Sequence, residues 1–157
     1  MERAVLFKKF VESWATIEPS RPETKGGIVR VEDHFGIRLP ASFREFVLTH
    51  GAIHTCDLHT AIAHSDSNLR EVHRFWPLDS VIESTEQFVD AGMSCMYIGF
   101  ASDHLGNLFG FKVKECRRPG SDDAPVWFYN PNNNVVHQVA VGFTQWITEF
   151  VKVSKGA

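Results

Sequence analysis

The chain has 157 residues, 43% of them hydrophobic and 12% aromatic, enough for one domain, 1–157, with a substantial core. Sixteen basic against nineteen acidic side chains give a formal charge of -3 without a long basic block, which argues against a nucleic-acid ligand. No apolar run nears the roughly 18 residues of a membrane helix, and Cys56, Cys95 and Cys116 lack the Cys-x-x-Cys spacing of a zinc knuckle or a disulfide framework.

The first predicted helix carries Leu6, Phe7, Phe10, Val11 and Trp14 on one stripe, with Lys8, Lys9 and Glu12 opposite. The apolar stretch near the start, Ala4 to Phe7, is too short for a secretory leader, so a reduced, cytoplasmic chain is expected. Pro19 to Gly27 reads as a loop from its two prolines and paired glycines. Ile28, Val31 and Phe35 recur at helical spacing, and Gly36 suits a left-handed stop. Pro40 fits a first helical turn, followed by a buried stripe of Phe43, Phe46 and Val47 that ends at Gly51.

From Ala52 to Arg74 neither period emerges, and the segment reads as loop plus short strand. Phe75 to Leu78 reads as an extended edge piece, because Pro77 removes a ladder donor. Ser80 and Glu83 have capping-box spacing, with Asp79 competing for the cap, ahead of a helix that turns Ile82, Thr85, Phe88 and Val89 inward and ends by Gly92. Cys95 to Phe100 and Leu105 to Val113 read as a hairpin around Ser102-Asp-His and Gly106-Asn, with Gly99 and Gly110 marking a bulge or close approach. A polar loop, Arg117 to Asp123, leads to a strand at Val126 to Tyr129; Asn130 to Asn134 is a turn, and Val135, Val136 and Val139 resume the sheet. Phe143, Trp146, Ile147, Phe150 and Val151 form the cleanest helical stripe. The order is α+β: N-terminal helices, a mostly antiparallel sheet, and a closing C-terminal helix.

In that order the short patterns Val31-Glu-Asp-His-Phe-Gly-Ile-Arg-Leu-Pro40, Phe43-Arg-Glu-Phe-Val47 with Gly51, Trp76-Pro-Leu78, Ile98-Gly99, Gly106-Asn107, Val126-Trp127 and Ala140-Val-Gly-Phe-Thr-Gln-Trp-Ile147 resemble the SUKH superfamily. The Smi/Knr-type cell-wall regulators belong to that superfamily. The likeness runs from about Val31 to Phe150. It departs at Gly51-Ala52, where Asn-Gly-Gly is usual, and at Val141-Gly142, where Ala-Asp-Ser is usual. The resemblance implies a curved, mostly antiparallel sheet under helices. It also implies, for bacterial members, an immunity protein against polymorphic toxins, often nucleases or deaminases, and for the fungal branch a signalling scaffold.

The chemistry-bearing residues give no assembled constellation. Asp103 and His104 are adjacent and read as turn residues with a solvated imidazole, since neighbours on an extended chain point to opposite sides. His50, His54, His59 and His64, with Cys56 between them, have ligand-like spacing, but Gly51 ends the helix that would align the first two. No metal, cofactor or catalytic residue is therefore expected. A Cys/His nucleophile at Cys56 or Cys95 lacks an orienting third group, and Phe75-Trp76 and Trp127-Phe128 read as core packing. The reading that leads is a non-enzymatic module that binds a cognate toxin domain. A basic toxin cleft would be met by acids on loops, with Asp57, Asp66, Asp122 and Asp123 as the candidate contacts. The alternatives are a small hydrolase or metal enzyme in the histidine-rich middle, or a regulatory scaffold.

Overall fold

The computed structural model describes residues 2–16, 20–65, 67–117 and 122–153. Asp66, Pro19 and most of the polar loop before Asp122 lie outside the described residues. Helix α1 (Arg3–Trp14) buries Leu6, Phe7, Phe10 and Trp14 of the expected stripe, with Val11 half-buried, and the Trp14 indole N–H donates to the Phe150 carbonyl at 3.1 Å. Helix α2 (Lys25–Phe35) begins earlier than its glycines predict. The Thr24 hydroxyl accepts from the Gly27 N–H, and this cap, with Ile28 and Val31 buried, outweighs the roughly 1 kcal/mol that each glycine costs inside a helix. Gly36 ends α2 at φ 64°, as its position predicted.

Helix α3 (Ala41–His50) takes Pro40 as its cap and buries Phe43, Phe46 and Val47. Gly51 follows at φ 75°, where a Cβ would lie 1.9 Å from the Arg21 carbonyl oxygen, so only glycine fits. The segment read as loop plus short strand reaches β-structure at Arg74 and also holds an unexpected short helix, α4 (Leu58–Ala63), anchored by buried Leu58 and Ile62. Helix α5 (Leu78–Asp90) starts two residues before Ser80, so the expected capping box is not made. Instead the Ser80 hydroxyl donates to the Pro77 carbonyl, and the Leu78 N–H donates to the Glu23 carboxylate. Of its expected inward residues Thr85 is buried, while Ile82, Phe88 and Val89 are half-buried at the margin.

Five strands form one antiparallel meander in the order β1-β2-β3-β4-β5: β1 (Arg74–Phe75), β2 (Tyr97–Ser102), β3 (Leu108–Lys112), β4 (Val126–Asn130) and β5 (Val135–Ala140). The β2–β3 register jumps between Gly99↔Gly110 and Ala101↔Phe109, the bulge that the two glycines announced. A Cβ on Gly110 would lie 2.1 Å from the Ile98 carbonyl oxygen, and one on Gly99 would meet the Trp76 ring at 2.5 Å. Val113 leaves the strand and opens a single 3₁₀ turn, Val113–Cys116.

Helix α6 (Phe143–Lys152) covers one face of the sheet together with α1 and α3. Phe143 sits within 6.4 Å, centroid to centroid, of Phe7, Phe43, Phe46, Phe75, Phe100, Phe111 and Trp146. The other face packs Trp76, Thr85 and Phe88 against Gly99, Leu108 and Tyr129. The fold is α+β, and among the described residues no helix is long and apolar enough to cross a membrane.

Candidate functional site

The largest departure from the sequence reading lies where α4 meets the β2–β3 turn. Asp103 is buried. Its carboxylate accepts from the Leu105 N–H at 2.9 Å, the Asn107 N–H at 2.8 Å and the Asn107 side-chain amide at 2.8 Å. Gly106 at φ 84° completes the bend. The turn is thus the predicted one, but Asp103 organises it from inside and is not an interchangeable surface residue.

This fixed turn holds His104 over Glu71. The His104 backbone N–H donates to Glu71 Oε1 at 2.9 Å, and its ring Nδ1 contacts the same oxygen, so the imidazole is exposed, as expected, and also partnered. Glu71 is 5% exposed, and its second oxygen, Oε2, is buried with no hydrogen-bond partner. His59, exposed on α4, brings its ring to 3.9 Å from that of His104, centroid to centroid. One ligand atom from each of His59, Glu71 and His104 lies within 4.8 Å of the others. The three line a cavity of about 180 Å³, together with Ile62, Leu69 and Arg70. The Arg70 guanidinium is turned onto the Phe128 ring at 4.2 Å.

Among the other histidines, Gly51 closes α3 directly after His50, so His50 and His54 share no helical face. His50 packs on the Phe46 ring, and burial lowers its pKa below the ordinary histidine value. His64 caps the end of α4. Cys116 is buried, and desolvation with nearby Glu115 pushes its thiol up to about 12, which keeps it in the thiol form and away from reagents in solvent.

Among the described residues, the candidate contact acids Asp57, Asp122 and Asp123 do not gather in one place. Asp57 is exposed at φ 66° ahead of α4, where the Cys56 N–H bonds the Trp14 carbonyl at the end of α1. Asp122 is exposed and pairs with Arg3 at 3.0 Å, at the opposite end of α1 and on the order of 16 Å away at 1.5 Å per residue. Asp66 lies outside the described residues. Asp123 turns inward, accepting from the Ser42 hydroxyl at 2.8 Å and from the Phe143 and Thr144 N–H groups at 2.7 and 3.2 Å. It caps α6 from 20 positions upstream and is not displayed as a loop acid would be.

Phe75, Trp76 and Phe128 are core residues, as their aromatic pairing suggested. Trp127 is half-buried on the sheet's second face. Its indole donates to Glu115 at 2.7 Å, Tyr97 packs edge-on at 5.8 Å, and the Lys112 ammonium lies 4.9 Å above the ring.

An α+β chain with helices over an open antiparallel meander defines a fold class that hosts many functions. A family model narrows it: the SMI1 / KNR4 family (SUKH-1) matches residues 22–149, and the chain belongs to that family. The match begins nine residues before the first pattern quoted above and takes in α2. No individual curated protein matches the chain. Membership supports an immunity-type or regulatory module that binds partner proteins.

Proposed function

We propose that this protein is an immunity protein: a non-enzymatic, cytoplasmic module that binds a cognate toxin domain and neutralises it by covering its active face. The observation that carries the reading is the family match over residues 22–149. The formal charge of -3 supports it, because a toxin that acts on nucleic acid is basic around its cleft and an acidic partner docks faster there. We also take the chain as one domain, since the buried cluster runs from Leu6 in α1 to Phe150 in α6.

Co-expression with the toxin encoded beside it is the test. The chain should rescue growth, co-purify with the toxin, and inhibit it at one-to-one stoichiometry. Raising salt should slow association more than it speeds dissociation, and Asp57→Lys or Asp122→Lys should act mainly on the on-rate. Rescue without a complex, or turnover of the toxin's substrate or product by the isolated chain, would refute it.

A further inference from the structure

We propose that His59, Glu71 and His104 form a binding site for one divalent transition-metal ion, with Zn²⁺ the best fit. The proposal is independent of whether the chain neutralises a toxin. Sequence spacing pointed to His50, His54, His59, His64 and Cys56 and argued against a metal. Only His59 of that set enters the site, and its two companions come from elements brought in by the fold.

Three observations carry the assignment. The first is the donor set: two imidazoles and one carboxylate suit Zn²⁺ and related first-row ions, whereas calcium and magnesium favour all-oxygen sites. The second is spacing. Ligand atoms around a tetrahedral ion with bonds of about 2.0–2.1 Å sit about 3.3 Å apart. The three ligand atoms here already lie within 4.8 Å of one another, and both imidazoles are on the exposed side, free to adjust.

The third is the orphaned oxygen. Glu71 Oε2 is buried without a hydrogen-bond partner while Oε1 takes both the backbone N–H and the ring of His104. Leaving a buried carboxylate oxygen unpaired forfeits its hydration, and a cation beside the carboxylate removes that deficit. The ion bonds His104 Nδ1 and Glu71 Oε2, any proton carried on Nδ1 leaves to solvent, and Oε1 keeps the His104 backbone N–H. His59 supplies the third bond, and the remaining position opens to water through the cavity. Asp103 is not a ligand, because both of its oxygens are engaged by the turn it holds. Bound metal would clip α4 to the β2–β3 turn, two elements separated in the chain by residues 64–102.

Tag-free full-length chain, stripped by chelator and titrated with ZnCl₂ in a calorimeter, tests this. One equivalent should bind, and the melting temperature should rise on the order of 5–10 °C at a hundredfold excess over Kd. His59→Ala, an exposed change, should lower the affinity by at least about tenfold, as should Glu71→Gln. His34→Ala, at the separate His34–Glu86 pair, should leave it unchanged. Co²⁺ should give visible d–d absorption in the parent chain that His59→Ala abolishes. No saturable binding, or one-equivalent binding that His59→Ala leaves intact, overturns the proposal. So does binding that His34→Ala removes.

Discussion

Replacing Asp123 by Ala should destabilise the protein far more than an exposed loop residue would. The carboxylate stands at the N-terminus of α6, whose own cap position is Gly142 and offers no side-chain acceptor. Losing an acidic cap costs about 0.5–2 kcal/mol. The substitution also strips the acceptor from the hydroxyl of Ser42, which is fully buried, at a further 1–3 kcal/mol or so. A total of about 2–4 kcal/mol is a large share of the 5–15 kcal/mol that typically separates folded from unfolded. Asp123→Asn should cost less, because Oδ1 serves Ser42, Ala124 and Phe143 and can go on doing so as an amide oxygen, while the Thr144 bond goes to Oδ2. Asp122→Ala is the internal control: its pair with Arg3 is exposed and worth about 0–1 kcal/mol. Urea denaturation of the three variants, with unchanged m-values, measures the differences. If Asp123→Ala falls within about 0.5 kcal/mol of Asp122→Ala, the capping argument is wrong.

Gly110→Ala should cost about 3 kcal/mol or more, or prevent folding, because its Cβ meets backbone at 2.1 Å, whereas Gly106→Ala meets nothing and should cost about 1 kcal/mol for its φ of 84°; chemical denaturation compares them. An aromatic disulfide reagent should titrate Cys56 and Cys95 in the native protein and Cys116 only after unfolding; fast release of three thiols would contradict the burial of Cys116. Burial and the Arg70 charge lower the pKa of His137, so the native state binds fewer protons than the unfolded one. Its contribution is then complete above the ordinary value of 6.5 and is lost as pH falls below it, so His137→Gln should flatten the decline in stability on acidification, read from urea melts between pH 7.5 and 5.

Long, strongly periodic elements were legible in the residues. The stripes of α1, α3 and α6 coincide with what is buried, and the hairpin glycines mark both the turn and the bulge. What escaped was local or distant. α4 has six residues and two apolar anchors, too few for a period to register against the surrounding polar chain. The start of α5 was misplaced because the cap comes from Glu23, 55 positions upstream, and outcompetes the nearby Ser80. The cluster at His59, Glu71 and His104 spans three elements, and nothing in the residues around Glu71 distinguishes it from a solvated acid until the fold buries it. For the same reason Asp123 resembled a surface contact: its partners, Ser42 and the first turn of α6, lie 81 and about 20 positions away.

The placement of Phe143 sets a timetable for synthesis. Rings from Phe7, Phe43, Phe46, Phe75, Phe100 and Phe111 all wait for a helix that is translated after every strand of the sheet. At about 5–20 residues per second, translation from Phe7 to Phe150 takes roughly 7–30 s, during which this aromatic surface has no lid. A nascent chain arrested before α6 leaves the ribosome exit should bind chaperones and resist refolding, and protection of the core amides should appear in one late step once Phe150 has emerged.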